Sequence, residues 1–427
     1  MNANPLRILY VLPYVPSPIR VRPYQIIRAL AHAGRRVTVV ALADEFASDD
    51  AVAELRTFCD AVHVVPHPRA RAVWQALRAL PTPTPLWAAY CFSEAMEKTL
   101  RALVATGAFD VAHVEHLRAA HFARALAPLP TVFDAVDCIT ALRQQMMRNV
   151  AAPPVSRLLS WEEWGKLRAY EPRVYRSFGQ VAISSEHDEA ELRRLDGGLP
   201  PITVIPNGVD ADYFCPDPRV APEADTLVFS GKMSYEANHD AASFLLGEIL
   251  PRLRQSRPGV KAILVGSAPS NALKALAART GNVALTGFVS DIRPYLVQAS
   301  VAVCPMRIGV GMQNKVLEAM AVGRPVVCSP IAARALPEGT GTNHGVHIAD
   351  TADEFARVCA ELLSGPVETL AESGRAARAF VAPRYRWSTT ADAFNRLYDT
   401  VIAAGVAAHD SETDSAPRRE LATGAVS

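Results

Sequence analysis

The fold is most constrained by the stretch from Cys304 to Pro330, which reads CPMRIGVGMQNKVLEAMAVGRPVVCSP. It follows the short apolar run Val301–Cys304, whose β-branched residues predict a buried strand. Gly309 and Gly311 then let the backbone approach a ligand closely, and a helix with one apolar side follows. Unpaired N–H groups and the helix dipole favour an anion where a helix begins after such a turn. The stretch therefore predicts a phosphate site.

Two charged residues of this helix sharpen the interpretation. Lys315 lies in the predicted first turn, where the helix dipole disfavours a cation by about 0.3–1 kcal/mol unless an anion lies beside it. Glu318 projects from the same face, where its carboxylate could accept hydrogen bonds from vicinal hydroxyls such as those of a ribose. The alternative is a surface pair at i, i+3, which stabilises a helix by only about 0.2–0.5 kcal/mol. We prefer a site in which Lys315 meets a diphosphate.

Length and composition limit the class of protein. A chain of 427 residues is too long for one ordinary core, so we expect two domains. The formal net charge of +1 gives no basic field of the kind that binds nucleic acid. The seven cysteines lack CxxC or Cys/His metal spacing, which is typical of small core residues in a reduced, cytosolic protein.

The chain carries no pattern of an export signal after Met1, and no stretch reaches the ~20 apolar residues that span a bilayer. We therefore expect a cytoplasmic protein that could touch the inner membrane only peripherally. Residues 407–427 are rich in small, polar and acidic residues without apolar periodicity, which predicts a disordered tail. Nothing in the sequence indicates an oligomeric state.

The first half alternates short apolar runs with helical stretches. Residues 7–12 and 37–42 predict strands on either side of a helix over 24–33, which gives a βαβ start. Further strands are predicted at 62–65, 111–115, 131–134, 181–184 and 202–205. Arg20 and Arg22 lie in the proline-rich loop after the first strand, where ligands bind in open α/β sheets. They are expected to meet an anionic group or, alternatively, to be solvated surface charges.

Polar residues follow two later strands of this half. His113, Glu115 and His116 lie at the end of one strand, and Asp134 and Asp137 at the end of the next. Carboxylates and imidazoles that end neighbouring parallel strands line a cleft. Each of them alone could equally cap a following helix, so the prediction depends on the cluster.

The basic, alanine-rich segment 69–90 has two tryptophans, Trp74 and Trp87, around a Pro-Thr repeat. Such a segment predicts a surface helix pair that touches a membrane or an apolar acceptor. The alternative is that both tryptophans pack on their own sheet.

The second half repeats the βαβ alternation. Asn207-Gly208 predicts a turn, and residues 209–224, rich in Pro and Asp, predict an interdomain linker. Strands and helices resume at Thr226. Gly231 and Lys232 follow the first of these strands, so Lys232 could face the same diphosphate as Lys315. Two doubly wound halves predict a ligand site in the cleft between them.

Several motifs together carry a resemblance to a known family. In order along the chain, they are VIPNGVDADYF, SGKMSYEANHDA, TGFVSDIRPYL, GVGMQNKVLEAMAVGRPVV and YRWSTTADAFNRLY. This set resembles the family-4 retaining glycosyltransferases of the GT-B fold over about residues 5–405. DAVD at 134–137 and the loop with Arg20 and Arg22 look most like sugar transferases of bacterial exopolysaccharide and exosortase systems.

The resemblance implies an α/β architecture of two Rossmann-like domains facing across a cleft. Residues 1–215 would bind the acceptor and residues 216–383 the nucleotide sugar. Residues 384–406 would form a helix that crosses back onto the first domain, ahead of the tail at 407–427.

The resemblance also implies roles for individual residues. Lys232 would contact the donor phosphates, Glu318 the ribose, and the backbone at 288–289 the base. The full donor-binding set is Gly231, Lys232, Phe288, Val289, Gly309, Val310, Gly311, Met312, Gln313, Lys315 and Glu318. The acceptor-side set is Arg20, Arg22, His113, Glu115 and Asp137.

The chain departs from the family pattern at three places. Ile308 stands where many members have a glutamate before the GxG, which puts the donor-sugar contacts of that glutamate in doubt. A second basic residue after Lys232 is missing, with Ala237 and Asn238 near its place, and Lys315 is expected to supply that charge. Glu115 aligns with the acceptor-side histidine of the family.

The implied reaction moves a sugar from a nucleoside-diphosphate sugar, UDP or GDP being expected, to a hydroxyl of a glycan or lipid-linked glycan. Lys232 and Lys315 would stabilise the departing diphosphate without a metal or other cofactor, and Glu115 or His116 would orient or deprotonate the acceptor hydroxyl. The alternatives are a GT-B sugar-nucleotide epimerase and a catalytically silent partner that binds a nucleotide sugar.

Overall fold

The computed structural model describes residues 5–44, 47–148 and 154–414. Seven strands form the first sheet: β1 Arg7–Leu12, β2 Arg36–Leu42, β3 Ala61–Val65, β4 Val111–Glu115, β5 Thr131–Val136, β6 Gln180–Ile183 and β7 Ile202–Val204. They lie in the order β3-β2-β1-β4-β5-β6-β7, and all neighbouring strands are parallel. Each predicted strand of the first half is therefore present.

Helices connect these parallel strands. They are α1 Val21–His32, α2 Asp49–Arg56, α3 Arg69–Ala79, α4 Leu86–Tyr90, α5 Glu94–Ala105, α6 Ile139–Arg148, α7 Pro154–Tyr175 and α8 Glu186–Leu195. A 3-10 segment, Leu117–Ala125, follows β4 directly. The basic segment with Trp74 and Trp87 forms the predicted helix pair, α3 and α4.

A second parallel sheet occupies the second half. Its strands are β8 Thr226–Ser230, β9 Lys261–Val265, β10 Val283–Leu285, β11 Val301–Cys304, β12 Val326–Cys328 and β13 Val346–Ile348, in the order β10-β9-β8-β11-β12-β13. Its helices are α9 Glu236–Phe244, α10 Leu250–Ser256, α11 Asn271–Thr280, α12 Arg293–Gln298, α13 Asn314–Ala321, α14 Pro330–Ala333, α15 Ala352–Ser364 and α16 Val367–Arg384. A π segment, Leu245–Ile249, joins α9 to α10, and a 3-10 turn, Thr342–His344, precedes β13. Because β11 is central in the sheet and buried throughout, the loop after it starts at the middle of the sheet edge.

The last helix, α17 Trp387–Asp414, returns to the first domain and packs against α1. Phe394 and Tyr398 are fully buried there in one apolar core with Ile8. The expected boundary between helix and tail at residue 407 is wrong, because α17 continues through residues 407–414, where alanines favour a helix. The rest of the predicted tail, residues 415–427, lies outside the described residues.

The Asn207-Gly208 pair does not form the predicted turn. The chain has no regular secondary structure from the end of β7 to residue 210, and it packs closely against the start of α17. A Cβ on Gly208 would lie 2.6 Å from the backbone nitrogen of Trp387. The glycine is therefore required by the close approach of the last helix, and not by a turn.

All seven cysteines are free thiols, and five of them are buried, as expected for small core residues. Among the described residues, no helix is both long and apolar enough to cross a membrane.

Candidate active site

The loop between β11 and α13 contains the residues for which a diphosphate site is predicted. Gly311 has a φ of 62°, which glycine adopts at little cost. Its amide donates a 2.8 Å hydrogen bond to Oδ2 of Asp188, and the amide of Gly309 donates one of 2.9 Å to Oε1 of Gln145. Both acceptors belong to the first domain. In this structure the two loop amides therefore donate to side chains of the facing domain, and a phosphate at this loop stays a prediction.

Lys315 lies in the first turn of α13, as predicted. Its ammonium points toward the segment that contains Lys232. Its Nζ donates a 2.7 Å hydrogen bond to Oδ1 of Asn238, whose Nδ2 donates one of 3.0 Å to the backbone oxygen of Lys232. Burial lowers the pKa of Lys315, whereas Cys304 and Glu318 oppose that shift. The charge expected near Asn238 is therefore supplied from α13, and the side chain of Lys232 is exposed beside it.

Glu318 follows one turn after Lys315. Burial raises the pKa of Glu318 to about 7, and the charge of Lys315 opposes the shift. Such a carboxyl group titrates near neutral pH, and its ionised form is a strong acceptor for hydroxyl donors. The ribose contact of Glu318 stays a prediction.

The remaining donor-side residues differ in how they can reach a ligand. Phe288 is 69% exposed, and Val289 and Gln313 are half-buried, so their side chains are accessible. Val310 and Met312 are buried, which leaves their backbone as the part that could face a ligand. Ile308 is also buried, so it is a core residue and not a substitute for the missing glutamate.

Gly231 lies where two loops of the second sheet meet. Its carbonyl oxygen occupies the place that a Cβ on Gly266 would need, and a Cβ on Gly231 itself would lie 2.7 Å from Nδ2 of Asn238. Only glycine fits both positions, so the turn that holds Lys232 is packed tightly against the β9 loop.

Glu115 ends β4 and is only 1% exposed. Its Oε2 accepts a 2.8 Å hydrogen bond from the Tyr10 hydroxyl, and its Oε1 accepts one of 3.2 Å from Tyr14. Burial, together with the nearby carboxylate of Asp134, raises the pKa of Glu115 to about 8. The carboxyl group is therefore largely protonated at neutral pH and lies behind two tyrosines.

His116 follows Glu115 with a φ of 70°, which is uncommon for a residue with a Cβ and is often found at functional sites. Its Nδ1 accepts a 3.1 Å hydrogen bond from the backbone N–H of Arg118. Burial and the charge of Arg118 hold the pKa of His116 well below its usual value. The neutral ring therefore carries its proton on Nε2, and His116 can donate a hydrogen bond to an acceptor oxygen.

The predicted cleft positions of His113 and Arg22 are wrong. His113 is fully buried, with Nδ1 2.7 Å from the Tyr398 hydroxyl of α17, because it lies two residues before the strand end and thus ~6.6 Å deeper than Glu115. Arg22 is 5% exposed and pairs with both carboxylate oxygens of Asp134, at 2.8 and 3.0 Å. Neither the ligand role nor the solvated alternative describes Arg22, since a fully buried Asp134 needs this counter-charge.

Arg20 and Asp137 also have defined places. Arg20 pairs with Asp44, and its Cζ lies 4.3 Å from the centre of the Tyr14 ring. Asp137 lies against Gly311, so it faces the donor loop and not only the acceptor side. Burial and the neighbouring Asp188 raise the pKa of Asp137 to about 7.

His113, Glu115 and Asp134 offer ligand atoms within 4.8 Å of one another, a spacing that could suit a metal ion. Each group is already engaged: Arg22 binds Asp134, two tyrosines donate to Glu115, and Tyr398 contacts His113. The positive charge at this cluster is that of Arg22, so the residues do not fit a cation site.

Several residues that connect the two domains were missed by the sequence analysis. Oδ1 of Asn207 accepts a 2.5 Å hydrogen bond from Arg22, and its Nδ2 donates one of 2.7 Å to Asn314 at the start of α13. Arg334 donates to the carbonyl oxygen of Gly309 and lies 3.0 Å from His187. Only Asp188 and His187 had a usable signal, since both closely follow the end of β6.

Comparisons with known proteins match both halves of the chain. Residues 19–208 match the family model described as "Glycosyl transferase 4-like domain", and residues 224–365 match that described as "Glycosyl transferases group 1". A phosphatidyl-myo-inositol mannosyltransferase of Mycobacterium tuberculosis is 30% identical over 237 residues, which are 53% of this chain and 61% of that relative. The match thus spans about three fifths of that protein.

Two solved structures share the fold over nearly the whole chain. A sucrose-phosphate synthase from Thermosynechococcus elongatus has a TM-score of 0.69 at 17% identity and covers 93% of this chain and 100% of its own. HepE from Anabaena, solved in complex with UDP, has a TM-score of 0.65 at 17% identity and covers 92% and 100%. The fold is therefore the GT-B fold seen in glycosyltransferases, and its first and second halves match the models of a glycosyl transferase 4-like domain and of glycosyl transferases group 1.

Proposed function

We propose that this chain is a retaining glycosyltransferase that moves a sugar from a nucleoside-diphosphate sugar to a hydroxyl of a glycan or lipid-linked glycan. The observation that carries the proposal is the convergence of the α13 N-terminus, Lys315 and the Lys232 segment on one side of the cleft. Across the cleft, the end of β4 presents His116 beside Glu115.

The donor side supplies electrostatic stabilisation for the leaving group. A departing nucleoside diphosphate gains negative charge, which Lys232, Lys315 and the amides at the α13 N-terminus are placed to stabilise. In this proposal the protein's own groups stabilise the negative charge of the leaving group, so the transfer needs no metal. UDP or GDP is the proposed nucleotide, and the UDP complex of HepE is consistent with the first of these.

The acceptor side supplies orientation. His116 donates from Nε2 to the acceptor oxygen, while Glu115 accepts a proton only after losing its own, because its pKa is about 8. We therefore assign His116 to orientation and Glu115 to proton acceptance.

An apolar surface on the first domain supports a lipid-linked acceptor. Trp74 and Leu77 of α3 are 56% and 58% exposed, and Leu158 and Trp161 of α7 are 64% and 58% exposed. The two helices adjoin, since Lys166 of α7 donates to the carbonyl oxygen of Ala79, the last residue of α3, and to that of Leu80 after it. Arginines 69, 71 and 78 accompany the apolar residues on α3, as in helices that bind anionic membranes. We propose peripheral contact with the cytoplasmic membrane face here, and the name of the mycobacterial relative, which refers to phosphatidyl-myo-inositol, is consistent with it.

The decisive experiment is calorimetric titration of UDP, GDP, ADP and dTDP into wild type, Glu318→Ala and the exposed control Glu338→Ala. One nucleotide should bind, its affinity should fall in Glu318→Ala, and the control should bind as wild type does. Release of free nucleotide from the matching sugar nucleotide should then require an acceptor.

Three results would contradict the proposal. Binding of none of the four nucleotides removes the donor site. Conversion of the sugar nucleotide to an epimer without an acceptor favours an epimerase. Tight nucleotide binding with no turnover across lipid-linked and soluble acceptors favours a silent binding partner.

A further inference from the structure

Two arginines lie near the indole ring of Trp87 in the first domain. The Cζ of Arg143, on α6, lies 3.8 Å from the centre of the ring, and the Cζ of Arg118 lies 6.0 Å from it. Nε of both arginines is buried and has no hydrogen-bond partner among the described residues. Buried polar atoms are normally hydrogen-bonded. Arg254, Arg324 and Arg334 also have a buried Nε without a partner, and Arg118 and Arg143 differ from them in lying beside one aromatic ring.

Arg143 is the more telling member, because it is only 8% exposed. Within residues 5–44, 47–148 and 154–414, Arg143 forms no ion pair with a carboxylate, and its Nη1 donates to the Met146 sulfur at 3.8 Å. Arg22, at similar burial, has both oxygens of Asp134 and the amide of Asn207. A buried cation without such partners has its hydrogen-bonding capacity left for a ligand.

Among the carboxyl groups near Arg143, Glu163 has the largest electrostatic effect on it, although the two do not form an ion pair. One oxygen of Glu163 accepts a 2.6 Å hydrogen bond from the backbone N–H of Leu86, and the other is buried without a partner. Burial raises the pKa of Glu163, which favours its neutral form. Glu236, at the start of α9 in the second domain, also attracts Arg143 electrostatically. Neither Glu163 nor Glu236 forms an ion pair with Arg143.

The position of the pair assigns it to the acceptor side of the cleft. The Cζ of Arg118 lies 5.2 Å from the Tyr14 ring, and the Tyr14 hydroxyl donates to Glu115. The backbone N–H of Arg118 holds His116. Arg118 thus contacts the proposed acceptor residues through Tyr14 and through its own backbone, and Arg143 is near them through the Trp87 ring that it shares with Arg118.

We propose that Arg118, Arg143 and Trp87 form a binding site for a phosphate group of the acceptor. The indole supports the flat face of Arg143, so that its edge N–H groups remain for an oxyanion. Two guanidinium groups can bind phosphate oxygens through several charge-assisted hydrogen bonds. This inference rests on the proposed function, because it names the chemical class of the acceptor: a phosphate ester or diphosphate, either lipid-linked or part of a soluble sugar phosphate.

The test uses calorimetry on full-length protein saturated with the nucleoside diphosphate that it binds, or without nucleotide if none binds. The probes are octyl phosphate and inorganic phosphate. The variants are Arg118→Gln and Arg143→Gln. A third variant, Arg143→Lys, keeps the positive charge but loses the planar set of guanidinium N–H donors. The matched control is Arg168→Gln, which removes an exposed arginine stacked at 4.9 Å on Trp164.

We expect octyl phosphate to bind the nucleotide-saturated protein. Each glutamine variant should weaken that binding at least tenfold, Arg143→Lys should weaken it less, and the control should bind as wild type does. Nucleotide affinity and thermal unfolding should stay as in wild type. Octyl phosphate binding at least tenfold tighter than inorganic phosphate supports a lipid-linked acceptor, and equal binding supports a soluble phosphate acceptor.

The inference is overturned if neither probe binds, if the glutamine variants bind as wild type does, or if saturating nucleotide displaces the probe, which would assign the arginines to the donor site. Failure of the proposed function gives a different pattern: none of the four nucleotides binds, while octyl phosphate binding and its loss in the glutamine variants persist.

Discussion

Replacement of Lys315 by methionine distinguishes the effect of the buried charge on stability from its effect on ligand binding. The ammonium has one good acceptor, Oδ1 of Asn238 at 2.7 Å, and burial lowers its pKa. Methionine has similar length and no charge to desolvate. Loss of a hydrogen bond to a charged group costs about 1.5–3 kcal/mol, and relief of the buried charge offsets a similar amount. We therefore expect the free energy of unfolding to change by no more than about 1 kcal/mol.

Ligand binding should respond differently from stability. If Lys315 donates to the diphosphate, the variant loses one charge-assisted hydrogen bond to it, about 1.5–3 kcal/mol, which corresponds to a roughly 10–150-fold weaker affinity. The matching nucleoside, which has no phosphate, should bind with unchanged affinity. Calorimetry with both ligands and urea unfolding measure the two effects. Lys274→Met, at an exposed position on α11 of the same domain, is the control.

Two outcomes would refute this reasoning. Equal weakening of nucleoside diphosphate and nucleoside would show that Lys315 acts on the shape of the site and not on the diphosphate. A urea midpoint far below that of Lys274→Met would show that the ammonium stabilises the fold.

Three further predictions follow from the structure. Nucleotide affinity should rise between pH 6 and 8 in wild type as Glu318, with a pKa of about 7, ionises, and Glu318→Gln should remove that dependence in calorimetric titrations. Because the pKa of Glu115 is raised to about 8 from 4.5, its stabilising contribution is fully present below the unfolded value and is lost as pH rises through 8. The urea midpoint should therefore fall between pH 5 and 9 by less in Glu115→Gln than in wild type. Gly208→Ala should lower the free energy of unfolding by roughly 1–3 kcal/mol, since its Cβ would meet the Trp387 backbone, whereas Gly197→Ala, with open space around it, should not; urea unfolding of both variants measures the difference.

The sequence predicted the strands well because fully buried parallel strands appear as short apolar runs. The strands Arg7–Leu12, Val111–Glu115 and Val301–Cys304 begin and end at the predicted residues. The first turn of α13 with Lys315 was also correct, since glycines and an apolar helical face define it locally. These features depend on residues that are close together in the sequence, so a local sequence pattern is enough to predict them.

The side chains that complete the site depend on contacts between distant residues. Arg22 was assigned to a ligand or to solvent because nothing near it in sequence shows that Asp134, 112 residues away, is its partner. Asn207-Gly208 was interpreted as a turn because the contact with Trp387 is invisible in local sequence. Gln145, in the middle of an ordinary helix, gives no signal at all for its contact with Gly309.

The proposed donor site and a contact between the two domains share a backbone amide. The amide of Gly311 donates to Asp188 in this structure, and an amide in that geometry cannot also donate fully to a phosphate oxygen. Asp188 and a diphosphate carry charges of the same sign, so they exclude one another at the loop. Asn207, which hydrogen-bonds to both Arg22 and Asn314, does not compete with the ligand and can hold the domains together. A diphosphate at this loop therefore displaces the Asp188 contact while Asn207 keeps the two halves of the site in register.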